Sequence, residues 1–260
     1  MSTLSRLAEI ADESVQVVLY DQLGGGRSDR PDDDSLWTME RFVAELEAVR
    51  SGLDLGRVHL LGRSWGGFLG LQYTLDHPQS VRSLAVCNAG ASVIEELRGI
   101  NRMRSSLDSE TLATLSRYEA TGEYEHPDYL DAVHRVYARH FRRSAAPFDL
   151  ETSLAELKSD VLPHLTDLGR PYFVMWGPNE FVCNGNLLDW DVTDRLAEIA
   201  APVLIVAGWH DIVSVDAHRA IADRVADNEF VIFGNAAHAL LAEKDADLYL
   251  AVVKDFIRRH

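Results

Sequence analysis

The chain has 260 residues, is 47% hydrophobic and 25% charged, and sets 41 acidic side chains against 25 basic ones for a formal net charge of −16. That composition excludes a disordered or fibrous chain, and the charge argues against nucleic acid or an anionic membrane as partner, since both demand clustered Lys and Arg. No apolar run approaches the roughly 18–20 residues that span a bilayer, and Met1–Glu13 lacks the apolar stretch of a secretory signal, so a cytoplasmic protein is expected.

Leu4, Leu7, Ala8 and Ala11 recur at helical spacing and predict a short amphipathic helix at the start. Ser14–Asp21 is β-branched and too short for a helix, and is expected to be a buried strand. A polar loop opens with Gly24, Gly25 and Gly26. Met39, Phe42, Val43, Leu46 and Val49 then form the stripe of a helix that stops at Gly52. Arg57–Gly62 reads as a strand, Gly66–Leu75 as a helix and Ser83–Asn88 as a strand. From about Ala91 to Asp189 the apolar residues, such as Tyr129, Ala132, Val133 and Val136, keep helical spacing, which predicts a helical insertion. Alternation resumes with a strand at Pro202–Ala207, a helix near Asp216–Val225 and a strand at Phe230–Phe233. A last helix carries Leu248, Val252, Val253, Phe256 and Ile257. Alternating strands and helices mean an α/β fold with a mostly parallel sheet covered on both faces. The expected division is a core of residues 1–90 and 191–260, interrupted by residues 91–190. Cys87 and Cys183 lack metal-like spacing and are expected as reduced thiols.

The strand at Val58–Leu61 runs into Gly62-Arg63-Ser64-Trp65-Gly66 and then a helix. In that context G-x-S-x-G marks a nucleophilic serine on a sharp turn, with small residues needed two before and two after it. A serine requires a base and a group to orient the base. Each of the two late strands ends in a candidate: Gly208 leads to Asp211, and Gly234 to His238. Ser64, Asp211 and His238 follow the chain order of such triads. His210 precedes the last strand, and Asp216 is the fallback acid. The Trp65 backbone N–H is the expected oxyanion donor. No H-E-x-x-H occurs, and Gly24–Gly26 lacks the Lys-Ser/Thr of a phosphate loop, so no metal or cofactor is expected.

These residues, with Tyr20-Asp21-Gln22-x-Gly24-x-Gly26-x-Ser28-Asp29, Gly177-Pro178-Asn179-Glu180-Phe181 and Asp189-Trp190-Asp191, resemble the α/β-hydrolase fold, and within it the proline iminopeptidase family of serine aminopeptidases. The resemblance implies Ser64 as nucleophile, His238 as base, Asp211 as its partner, and residues 91–190 as a helical cap. It implies that Glu180 holds the substrate's free α-amine, which a carboxylate does through a charge-assisted hydrogen bond. The expected substrate is a small peptide or amino-acid amide with a free N-terminus. Two departures stand out. Ile212 occupies the position where the family branch similar to tricorn-interacting aminopeptidases has a second acid. The family's H-G-G-P-G loop, which supplies another oxyanion N–H, does not occur before Tyr20. The first three strands of the fold are therefore expected to be missing, with the sheet open beside Arg57–Gly62 and Met1 an internal methionine. The competing readings are a small-molecule amidase, esterase or lactonase on the same scaffold, and a catalytically impaired homologue acting only in binding.

Overall fold

The computed structural model describes residues 3–144, 147–162 and 169–260, with Thr3 and Leu4 as backbone only. The expectation concerning Met1 and small parts of the predicted insertion lie outside the described residues. Four strands, β1 (Val58–Arg63), β2 (Val81–Cys87), β3 (Val203–Gly208) and β4 (Asn228–Phe233), form a parallel sheet in that order. The register sets Arg63 opposite Cys87 and Cys87 opposite Val206, so the carboxyl ends of the strands reach one edge together. Ligands of open parallel sheets bind outside that edge.

Among the described residues the α-helices are α1 (Met39–Gly52), α2 (Trp65–Asp76), α3 (Val93–Arg104), α4 (Ser109–Thr121), α5 (Pro127–His140), α6 (Leu150–Asp160), α7 (Gly169–Met175), α8 (Val215–Ala222) and α9 (Ala246–Arg259). Five of them, α3 to α7, fall between β2 and β3. Thr38, Ser92, Asp108, Asp149 and Ser214 each accept a first-turn N–H at the starts of α1, α3, α4, α6 and α8. Those caps satisfy donors that helix geometry leaves unpaired.

The central strands β2 and β3 are buried on both faces, as their apolar sequences require, while β1 and β4 at the edges are half-buried. Leu84, Val86, Val203 and Ile205 pack with Phe42, Phe68 and Ile221 from α1, α2 and α8, and with Val225 just beyond α8. Their strand neighbours Ala85, Cys87, Leu204 and Val206 pack on the opposite side with Leu7, Tyr249, Val253 and Phe256. Successive strand residues point to opposite faces, so the two sets alternate. A third cluster joins the insertion to the core: Val133, Val136 and Phe141 meet Phe181, Ile212, Val213 and Ala239.

The structure departs from expectation near the start. The opening helix is a 3₁₀ helix, Thr3–Ile10, which buries Leu7 and Ile10. Ser14–Asp21 is not a strand: it carries no ladder, and Val18 and Leu19 stay 37% and 51% exposed. β1 pairs with β2 on one side only, and among the described residues no strand lies along its other side. A β-branched run favours extended backbone, but a strand exists only where neighbouring backbone groups take up its N–H and C=O.

Candidate active site

The site begins where β1 stops. Arg63 ends the strand and Trp65 begins α2, so Ser64 alone turns the chain, at φ 54° and ψ −124°. A non-glycine residue in that region costs about 1–3 kcal/mol, which the surroundings must offset. Ser64 N donates to Cys87 O at 2.9 Å and Gly67 N to Ser64 O at 2.7 Å. The glycine requirement is steric. A Cβ on Gly62 would sit 1.9 Å from the Gly66 carbonyl oxygen, and one on Gly67 2.5 Å from Ala89 Cβ. A Cβ on Gly66 would meet nothing within 4 Å. The small residue needed after the serine is thus Gly67, one position beyond the expected Gly66, because the helix presses on Ala89 there.

His238 and Asp211 arrive on the loops that follow β4 and β3. Gly208 lets those loops meet, since a Cβ there would lie 2.6 Å from the carbonyl oxygens of Ala236 and Ala237. His238 Nε2 stands 3.0 Å from Ser64 Oγ, and His238 Nδ1 2.8 Å from Asp211 Oδ1. An ionised carboxylate only accepts, so Nδ1 carries the proton and Nε2 is left to accept the serine hydroxyl. Burial works to raise the Asp211 carboxyl, but facing His238 and Asn88 keeps it below its ordinary value. His238 and Asp211 are 2% and 8% exposed. Asp216, the fallback acid, is exposed on α8. His210 turns its carbonyl to His140 Nδ1 at 3.0 Å.

Residues that sequence reasoning passed over hold this arrangement. The end of α5 bridges both loops: His140 O accepts from Ile212 N at 3.0 Å and from His238 N at 3.3 Å. The Phe141 ring lies 4.7 Å from the His238 ring. Asn88 Nδ2 donates to Asp211 Oδ2 at 2.6 Å. Glu243 Oε1 and Oε2 accept from Arg143 N and Ala237 N, both at 2.9 Å, and burial pushes its carboxyl up to about 7. Glu96 on α3 is 3% exposed and accepts from Gly90 N; burial, with Asp211 and Glu180 nearby, pushes it up to about 8. None carries a motif signal. Only the general rule that a buried polar group needs a partner could have singled them out.

Glu180 belongs to a rigid turn from the insertion. Asn179 Nδ2 donates to the Tyr129 hydroxyl at 2.7 Å, Phe181 N to Asn179 Oδ1 at 2.9 Å, and Glu180 N to the Tyr137 hydroxyl oxygen at 3.0 Å. The Tyr172 hydroxyl donates to Glu180 Oε1 at 3.0 Å. Burial pushes the Glu180 carboxyl above its ordinary range, and the charges of His238 and Arg63 draw it partly back. The carboxylate therefore shares the electrostatic neighbourhood of His238 and Asp211. Ile212 is 2% exposed within the apolar cluster and offers no charge. The Trp65 N–H opens α2, where first-turn donors have no intrahelical partner, and its indole donates to Gln22 Oε1 at 3.1 Å. The Asp189–Asp191 segment is used structurally: Trp190 Nε1 donates to Gln72 Oε1 at 3.0 Å, and Asp191 Oδ1 accepts from Thr193 N at 2.7 Å. Among the described residues no three His, Cys, Asp or Glu side chains group as a metal site, and no helix is long and apolar enough to cross a membrane.

The family model described as alpha/beta hydrolase fold matches residues 5–245. A proline iminopeptidase of Saccharolobus solfataricus is 36% identical over 256 residues, covering 96% of this chain and 78% of the relative. One from Lactobacillus helveticus is 35% identical over 259 residues, covering 97% and 85%. The crystal structure of proline iminopeptidase from Mycobacterium smegmatis superposes with a TM-score of 0.82 at 36% identity, covering 99% of this chain and 85% of that one. The chain belongs to the alpha/beta hydrolase fold family and, within it, to the proline iminopeptidases.

Proposed function

We propose that this protein is a serine aminopeptidase that releases an N-terminal residue, proline foremost, from a small peptide or amino-acid amide. The observation that supports this most is one continuous hydrogen-bonded line, Ser64 Oγ to His238 Nε2 at 3.0 Å and His238 Nδ1 to Asp211 Oδ1 at 2.8 Å, close to the half-buried Glu180 carboxyl. The names of its relatives point the same way.

In this reading Ser64 Oγ attacks the amide carbonyl while His238 Nε2 takes its proton. Asp211 keeps the imidazole in the required tautomer and stabilises the imidazolium that forms. The Trp65 N–H, at the positive end of α2, faces the developing oxyanion. The tetrahedral species collapses, His238 returns the proton to the leaving amine, and an acyl-enzyme remains on Ser64. Water, deprotonated by the same His238, then releases the acid. Glu180 binds the α-ammonium, which fixes the distance from the substrate's N-terminus to the bond broken. The helical segment 91–190 serves as a cap that brings Glu180 over the triad. The residues assigned to catalysis need no metal or cofactor for these steps. Cys87 and Cys183 are both free thiols, which suits a reducing cytoplasm.

Arylamides of proline and of other amino acids, assayed beside their N-acetylated counterparts and simple acyl esters, test the assignment. The free-amine arylamides should be turned over far faster than the acetylated ones, and Ser64→Ala should remove the activity. Preference for acetylated amides or esters would instead select a small-molecule amidase or esterase.

A further inference from the structure

Asn88 stands just beyond β2, and its carboxamide reaches the face of Asp211 opposite His238. The two oxygens of Asp211 are thereby divided. Oδ1 accepts from His238 Nδ1 at 2.8 Å and Val213 N at 3.0 Å, while Oδ2 accepts from Asn88 Nδ2 at 2.6 Å. The carboxylate only accepts, so the nitrogen end of the amide is the end that faces it. Asn88 is 1% exposed, and its backbone N donates to Val206 O at 2.9 Å, which ties it to β3. Glu96, accepting from Gly90 N, closes the turn two residues later. The ionisable groups around Asp211 are His238, His218 from α8, Glu96 from α3, His140 from α5, Glu180 and Glu243. Among them Asn88 is a neutral donor, able to bind the carboxylate without adding charge.

We propose that Asn88 is a positioning residue, whose amide fixes the rotation of the Asp211 carboxylate so that one oxygen is reserved for His238 Nδ1. The proposal rests on the reading of Ser64, His238 and Asp211 as the triad. A carboxylate held by only one oxygen can rotate about its Cβ–Cγ bond, and a base mispositioned by about 1 Å loses on the order of 10² in rate. The rival explanation is local backbone: Asn88 has φ 54°, and asparagine tolerates that region better than most residues. Glycine adopts it still more readily. Asn88→Gly therefore keeps the turn and loses the amide. Asn88→Asp keeps the size and exchanges the donor for an acceptor beside Asp211.

The test compares both variants with the natural chain on L-prolyl arylamide, recording kcat, KM, the pH profile of kcat/KM and thermal unfolding. Asn88→Gly should fold with little change in Tm and lose about 10–100-fold in kcat, with KM within about twofold. Asn88→Asp sets a second carboxyl against Asp211 Oδ2, where two carboxylates share one proton, and should lose kcat by at least as much. A turn-forming role alone would leave kcat of Asn88→Gly within twofold of the natural chain, and that result overturns the proposal. Should Asn88→Gly not fold, kcat of Asn88→Asp decides, and a value within twofold of the natural chain overturns the proposal. Ser64→Ala is assayed beside them. Activity surviving in that variant removes the triad reading itself, whereas an inactive Ser64→Ala with a fully active Asn88→Gly removes only Asn88.

Discussion

At the scale of single residues, the site is a set of buried polar groups whose partners decide their charge. Glu180 lies above its ordinary carboxyl range through burial, while a peptide α-amine titrates at about 8. If Glu180 holds the amine as proposed, capture strengthens as pH rises through the ionisation of Glu180 and fades once the amine loses its proton. KM for a free-amine arylamide should pass through a minimum between these two points. Glu180→Gln should raise KM by about 10–100-fold, the worth of a hydrogen bond to a charged group, and erase the acid side of that minimum; an unchanged KM would show that Glu180 is not the amine anchor. Glu96 gives a stability prediction. Its folded carboxyl, near 8, keeps a proton that the unfolded chain releases at about 4.3. Its contribution to stability is full below about 4.3 and is lost as pH rises through about 8. Glu96→Gln keeps a carbonyl for Gly90 N and has no proton to lose. Its Tm should exceed that of the natural chain by a few degrees near pH 9 and match it near pH 4. Ser64, His238 and Asp211 were legible as a motif and as loop ends. Asn88 was not, because an asparagine after a strand reads as an ordinary turn residue until Asp211 is brought beside it by pairing of β2 with β3.

At the scale of elements, the strands and helices of the core were legible from periodicity, since β2 and β3 are buried on both faces and α2 follows β1 at once. Ser14–Asp21 misled for a physical reason. Its sequence carries the inclination of a strand, but the ladder depends on a neighbour that local sequence does not report. The C-terminal end of α5 was also illegible, because its role consists of two backbone carbonyls, His140 O and Phe141 O, taking N–H groups of the catalytic loops. The Phe141 side chain, 5% exposed, packs on His238 and within the cluster that joins the insertion to the core. Phe141→Ala should cost about 3–5 kcal/mol of stability and lower kcat through the loosened imidazole. Retention of full stability, measured by urea unfolding, would show that this helix does not brace the site.

At the scale of the whole molecule, the parallel register brings the ends of β1, β2, β3 and β4 to one edge, and Ser64, His238 and Asp211 meet there. The segment between β2 and β3 supplies Glu180 from the turn after α7, and His140 and Phe141 from the end of α5. The net charge of −16 suits a cationic amine substrate and leaves the fold itself unexplained, since net charge governs association more than architecture. Labelling with a fluorophosphonate, followed by peptide mass analysis, tests whether this architecture makes Ser64 an activated nucleophile. The natural chain should take up one label per molecule, on Ser64, with labelling lost in His238→Ala. No labelling of the natural chain, or a label on another residue, would contradict it.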